Sequence, residues 1–119
     1  TWRVHPSSRG ALPEPVCNAG LLKVRETDDP RKPILAFINP AVQNRPRRRM
    51  TLKLSLDGGL SWPQAYHLLL DEGASAGYPS LTMIDDDTIG VFYEGSQAHL
   101  TFQRVALEEL LGGKHLLQE

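Results

Sequence analysis

Ser55-Leu56-Asp57-Gly58-Gly59-Leu60-Ser61-Trp62 spells S-x-D-x-G-x-[ST]-W, and its residue types describe a turn built to hold itself closed. The Asp57 carboxylate accepts hydrogen bonds from backbone amides ahead of it, and Gly58 and Gly59 permit positive φ. Trp62 supplies a large apolar ring to fold beneath the turn. On either side, Met50-Thr-Leu-Lys-Leu-Ser-Leu56 and Tyr66-His-Leu-Leu-Leu70 have the composition of strands. Two such runs joined by a short turn-rich segment predict an antiparallel hairpin.

Outward from this hairpin the same grammar recurs. Gly20-Leu-Leu-Lys-Val-Arg25 and Pro33-Ile-Leu-Ala-Phe-Ile38 predict a second hairpin across the polar link Glu26–Lys32, closed by Asn39-Pro40. A loop rich in arginine and proline, Ala41 to Arg48, leads into the central strand. Ser80-Leu-Thr-Met-Ile84 and Thr88-Ile-Gly-Val-Phe-Tyr93 flank the acidic turn Asp85-Asp86-Asp87, and His99–Val105 adds another alternating strand. Ala106–Leu111 has the spacing of a short amphipathic helix, stopped by Gly112-Gly113. Short strands at this spacing without long helices predict an all-β fold, whether sandwich, barrel or propeller. The opening Thr1-Trp2 repeats the [ST]-W of Ser61-Trp62 at an interval of 60 residues, which favours the repetition of a propeller.

Length and charge narrow the function. A chain of 119 residues with net charge -1 allows one domain at most, burying about 65% of its unfolded surface if it closes its own core. The isoelectric point near 6.4 argues against nucleic acid as the main partner. No apolar run approaches the roughly 20 residues a membrane span requires, and no signal-like apolar stretch opens the chain. Cys17 is alone, so no internal disulfide forms, and it is expected as a buried structural thiol. Asp85–Asp87 lacks calcium-loop spacing, and His5, His67, His99 and His115 lack zinc-ligand spacing, so no metal or other cofactor is expected.

Four segments in order resemble the sialidase (neuraminidase) family, from about Leu12 to Leu111. Ser55–Trp62 is similar to that family's Asp-box, whose members here are Ser55, Asp57, Gly59, Ser61 and Trp62. Leu12-Pro-Glu-Pro-Val-Cys-Asn-Ala-Gly20 resembles the blade-entry pattern L-x-[DE]-P-x-C-x-[AG]-S, and Phe37-Ile-Asn-Pro40 resembles F-S-N-P. Arg47, eight residues before Ser55, opens a segment similar to R-x-N-L-T-[LV]-[KR]-x-S. Gly77-Tyr-Pro-Ser-Leu81 resembles G-Y-S-[SCD]-L, and Val91-Phe-Tyr-Glu94 resembles L-L-Y-E. The resemblance implies a six-bladed β-propeller, of which residues 1–119 would be the C-terminal part, about the last two blades. It further implies an exo-α-sialidase acting on sialylated glycans or glycolipids, with the remaining blades as structural partners. Secretion or the periplasm in bacteria, and the lysosome in animals, would be its location.

The chemistry expected of these residues follows from the substrate class. A terminal sialic acid carries a carboxylate on its anomeric carbon, and a guanidinium presents a planar, permanently charged fork to such a group. The resemblance makes Arg47 that clamp, the last of the family's three arginines. An anionic nucleophile would be repelled by the same carboxylate, whereas a tyrosine hydroxyl is not, and sialidases are the glycosidases with a Tyr nucleophile. Tyr78 matches that position. A phenol has a pKa near about 10, so attack needs a group that takes its proton. The family's glutamate for this task, its general acid and its other two arginines have no counterpart here. Glu14 matches the acidic residue of the blade-entry segment instead.

Alternative readings accompany these assignments. Arg45, Arg47, Arg48 and Arg49 also fit a solvated basic loop, and Tyr78 a packing tyrosine. Tyr93 and Glu94 read as strand and loop structure, with Glu94 at the site rim. Arg49 stands where the family has Asn, and Pro79 where Ser is common. A non-catalytic Asp-box propeller that binds carbohydrate or protein is the competing function, since fold does not fix activity.

Overall fold

The computed structural model describes residues 3–6, 10–15, 17–75 and 77–112, the side chain of Ala98 excepted. Thr1-Trp2, and with it the sequence interval to Ser61-Trp62, lies outside these residues, as do Gly113 and His115. Seven strands follow in order: β1 Gly20–Arg25, β2 Ile34–Pro40, β3 Met50–Ser55, β4 His67–Asp71, β5 Pro79–Asp85, β6 Thr88–Glu94 and β7 Leu100–Ala106. A single helical turn, α1, covers Leu107–Leu110. The strands form two wholly antiparallel sheets, β1-β2-β3-β4 and β5-β6-β7, each in simple sequence order. This is the arrangement of two neighbouring blades of a propeller.

Strand register explains why these sequences pair as they do. Leu22 pairs with Ala36 and Ala36 with Leu54, while Ile38 pairs with Leu52 and Leu52 with Leu68, so one face of the first sheet is continuously apolar. That face and Ile89, Val91, Tyr93 and Val105 of the second sheet share one core, which Leu107, Leu110 and Leu111 extend. Each buried Leu or Ile contributes roughly 1.5 to 3 kcal/mol, so this shared face holds the sheets together. The polar residues of β3 behave differently from their pattern. Thr51, Lys53 and Ser55 alternate with apolar neighbours and read as a solvent face, yet all three are buried. Residues 10–13 run over that face, where Asn39 Nδ2 donates to Pro13 O at 2.8 Å and Lys53 Nζ to Ala11 O at 3.3 Å.

β1 and β5 lie side by side where the sheets meet. At the end of both strands Arg25 Nη2 donates to Asp86 O at 2.7 Å and reaches Asp87 Oδ1 at 3.3 Å. The acidic turn is thereby tied to the first sheet; among the described residues no three His, Cys, Asp or Glu side chains are grouped so that they could hold an ion.

Among the described residues nothing covers the outer face of the second sheet. Phe92 pairs with Phe102, and these two rings and Leu100 stay largely exposed. Among the described residues β7 also has no strand paired along its outer edge. An apolar face beside an open edge templates association. The isolated 119-residue chain is therefore expected to self-associate in sedimentation velocity, and a monomer that melts cooperatively in dilute solution would contradict this.

Candidate active site

The turn at Ser55–Trp62 is held from within. Ser55 Oγ donates to Asp57 Oδ1 at 2.8 Å and accepts from Gly59 N at 2.9 Å. Asp57 Oδ1 accepts from Ser61 N at 2.9 Å and Asp57 Oδ2 from Ser61 Oγ at 2.7 Å. Burial pushes the Asp57 carboxyl up, but the bonds from Ser61, Ser55 and Leu60 outweigh it and hold the group below its ordinary value. Gly58 and Gly59 have φ of 72° and 91°, which a β-carbon would strain. Trp62 is 7% exposed, donates Nε1 to Gly59 O at 3.0 Å and meets Phe37 edge-on at 5.8 Å. Both carboxylate oxygens of Asp57 thus accept bonds from its own loop.

Arg47 and Tyr78 lie at the opposite end of β3, a strand length of about 20 Å away. Arg47 comes from the loop that enters β3 of the first sheet, and Tyr78 immediately precedes β5 of the second. The two meet across the seam: the Arg47 guanidinium carbon stands 5.4 Å from the centre of the Tyr78 ring. Stacking of this kind contributes about 0.5 to 1 kcal/mol at an exposed site. Tyr78 is 50% exposed, so it is not a packing residue of the core. A cleft of about 610 Å³ lined by Arg45, Pro46, Arg47 and Ser75 opens beside the pair.

The loop bearing Arg47 is braced by the segment that follows β4. Ser75 N donates to Arg47 O at 3.0 Å, and Arg49 Nη1 reaches Glu72 Oε1 and Oε2 at 2.8 and 2.9 Å. Asp71 anchors that segment in turn, accepting from Gly73 N at 2.9 Å and Ser96 N at 2.8 Å. The Ser96 bond, chiefly, keeps its carboxyl below the usual range against the opposing effect of burial. Arg49 has a φ of 60°, in the left-handed region where Asn is several-fold enriched among residues other than glycine. That is the position where the resembling pattern carries Asn.

Two further residues bond to the backbone beside Tyr78: Cys17 of the blade-entry segment, and Glu94, which the sequence places at the site rim. Cys17 is only half-buried, unlike the buried thiol expected, and its Sγ donates to Gly77 O at 3.2 Å. Burial raises its pKa, with the charge of Arg47 pulling the other way. Glu94 Oε1 accepts from Tyr78 N at 3.3 Å. Neither contact leaves a periodic signal, since the partners are 60 and 16 residues apart. Tyr93, read as strand structure, is buried and donates to Gln103 Oε1 at 3.3 Å. A separate cleft of about 480 Å³, lined by Thr51, Lys53, Trp62, Gln64 and His67 among others, holds neither Arg47 nor Tyr78. Burial there lowers the pKa of Lys53, and lowers that of His67 although its Nε2 donates to Trp62 O at 2.9 Å.

No family model matches the chain. Among curated proteins it is 49% identical over 112 residues to a sialidase of Bacteroides fragilis (strain YCH46), covering 93% of this chain and 20% of that protein. A sialidase of Micromonospora viridifaciens is 31% identical over 86 residues, covering 70% of this chain and 13% of that one. Among solved structures, Hadza microbial sialidase Hz136 superposes with a TM-score of 0.76 at 49% identity, over 91% of this chain and 21% of that chain. The chain spans about a fifth of the length of the first of these curated relatives and of this structure. Agreement in sequence and in fold over nine-tenths of the chain places it in the sialidase family.

Proposed function

We propose that this chain is a C-terminal part of an exo-α-sialidase built as a six-bladed β-propeller, and that it supplies one wall of the active site. The observation that carries the reading is the Arg47 guanidinium set against the half-exposed Tyr78 ring across the seam of the two sheets. Arg47 clamps the carboxylate of a terminal sialic acid on a glycan or glycolipid. Tyr78 Oη attacks the anomeric carbon as the bond to the leaving oxygen breaks, forming a tyrosyl glycoside. Water then displaces the tyrosine, and two inversions leave the configuration of released sialic acid retained. The group that takes the Tyr78 proton and the acid that protonates the leaving oxygen come from the rest of the polypeptide. The remaining blades cover the exposed face of Phe92 and Phe102, and the Asp-box turn at Ser55–Trp62 has no part in the chemistry.

Arg47→Ala in the complete polypeptide is expected to raise KM and lower kcat/KM. A charge-assisted bidentate contact in a dry pocket is worth about 2 to 4 kcal/mol, which corresponds to roughly 30- to 1000-fold. Steady-state kinetics on an activated sialoside checks this. Trapping with a fluorinated sialic acid, followed by peptide mapping, is expected to label Tyr78. Glycan binding without turnover or a labelled tyrosine would instead identify the segment as part of a non-catalytic carbohydrate-binding propeller.

A further inference from the structure

The Tyr78 side chain is half exposed, and its stacking on Arg47 fixes the ring only weakly. Its direction must therefore be set by the backbone it leaves from. The Gly77–Tyr78 peptide is gripped on both sides: the Gly77 carbonyl accepts from Cys17 Sγ at 3.2 Å, and the Tyr78 N–H donates to Glu94 Oε1 at 3.3 Å. Gly77 has a φ of 83°, and a β-carbon there would lie 2.9 Å from Pro40 Cγ and 3.4 Å from both Arg47 Cδ and Cys17 Sγ. The chain is thus pressed into a place where only glycine fits.

Register shows what Glu94 adds. The β5–β6 ladder runs from Asp85↔Thr88 to Pro79↔Tyr93, and the next rung would oppose Tyr78 to Glu94. Pro79 has no N–H, so the ladder loses a donor at its last pair. The Glu94 side chain takes the following amide in place of a backbone carbonyl, extending the grip of β6 by one residue. Glu94 is itself fixed by pairing with Leu100 of β7.

We infer that Glu94 is a positioning residue: its carboxylate holds the Tyr78 amide, and so aims the phenol at the reacting carbon. This rests on the reading of Tyr78 as nucleophile. A misplacement of about 1 Å at a nucleophile costs on the order of 100-fold in rate. In the complete polypeptide, Glu94→Ala is expected to lower kcat by about 10- to 100-fold with KM changed less than about threefold, and to slow labelling of Tyr78 by a fluorinated sialic acid to the same degree. Glu94→Gln keeps an oxygen acceptor at the same reach and is expected to recover most of both rates. The positioning role is overturned if Glu94→Ala keeps kcat within twofold while Tyr78→Phe is inactive. It is equally overturned if the loss in Glu94→Ala matches the fall in folded protein measured by circular dichroism, or if Glu94→Gln is as slow as Glu94→Ala. Turnover by Tyr78→Phe would instead overturn the assignment of the nucleophile itself.

Discussion

Tyr78→Phe in the complete polypeptide is expected to lower kcat by about three orders of magnitude or more while KM changes far less. The substitution removes one oxygen and keeps the ring, so the stacking on Arg47 and the grip on the Gly77–Tyr78 peptide persist. Under the proposed mechanism what disappears is the covalent route, an interaction made only as the reaction proceeds, and such losses fall on kcat. Arg47→Ala is expected to contrast with this because the proposed clamp would act on bound substrate and transition state alike. Stopped-flow and steady-state rates on an activated sialoside separate the two. Near-normal turnover by Tyr78→Phe would remove the chemical reading of the whole seam.

Trp62→Ala should destabilise by about 3 to 5 kcal/mol, the range for losing a large buried aromatic. The indole is 7% exposed, packs edge-on against Phe37 and closes the turn through its bond to Gly59 O. Removing it leaves a cavity beneath the turn and takes a hydrogen-bond donor from the Gly59 carbonyl. Because this turn lies a strand length from Arg47, kcat of the folded fraction is expected to stay at its parent value. Urea denaturation gives the stability and active-site titration the folded fraction. A loss well below 3 kcal/mol would mean that the indole contributes little beneath the turn.

Much of the fold is legible in the sequence, because antiparallel strands with one buried face carry a period of two. The seven strands lie where alternation places them, with ends shifted by a residue or two for local reasons. β2 runs on through Asn39 and Pro40, which pair with Thr51 and Met50. β4 starts at His67 because Gln64–Tyr66 form a 3-10 turn. Lys53 is where alternation misleads: its place on a polar face says solvent, but a distant segment covers it. At the site, Arg47 and Tyr78 stand out because each sits in a recognisable string. Cys17 and Glu94 also sit in such strings, but the strings do not show what joins them to Tyr78, a pair of bonds to one peptide unit: the Glu94 bond closes when β5 pairs with β6 and the Cys17 bond when the two sheets meet.

The seam between β1 and β5 is fastened twice, by Cys17 to Gly77 where both strands begin and by Arg25 to the Asp86–Asp87 turn where both end. A joint pinned at one end pivots; a joint pinned at both ends resists torsion along its length. Tyr78 belongs to a loop by its place in the chain, yet it takes the stiffness of two sheets from this joint. Under the proposed function, a carboxylate arriving at Arg47 would meet two strands already tied together at both ends, which leaves less conformational entropy for binding to remove.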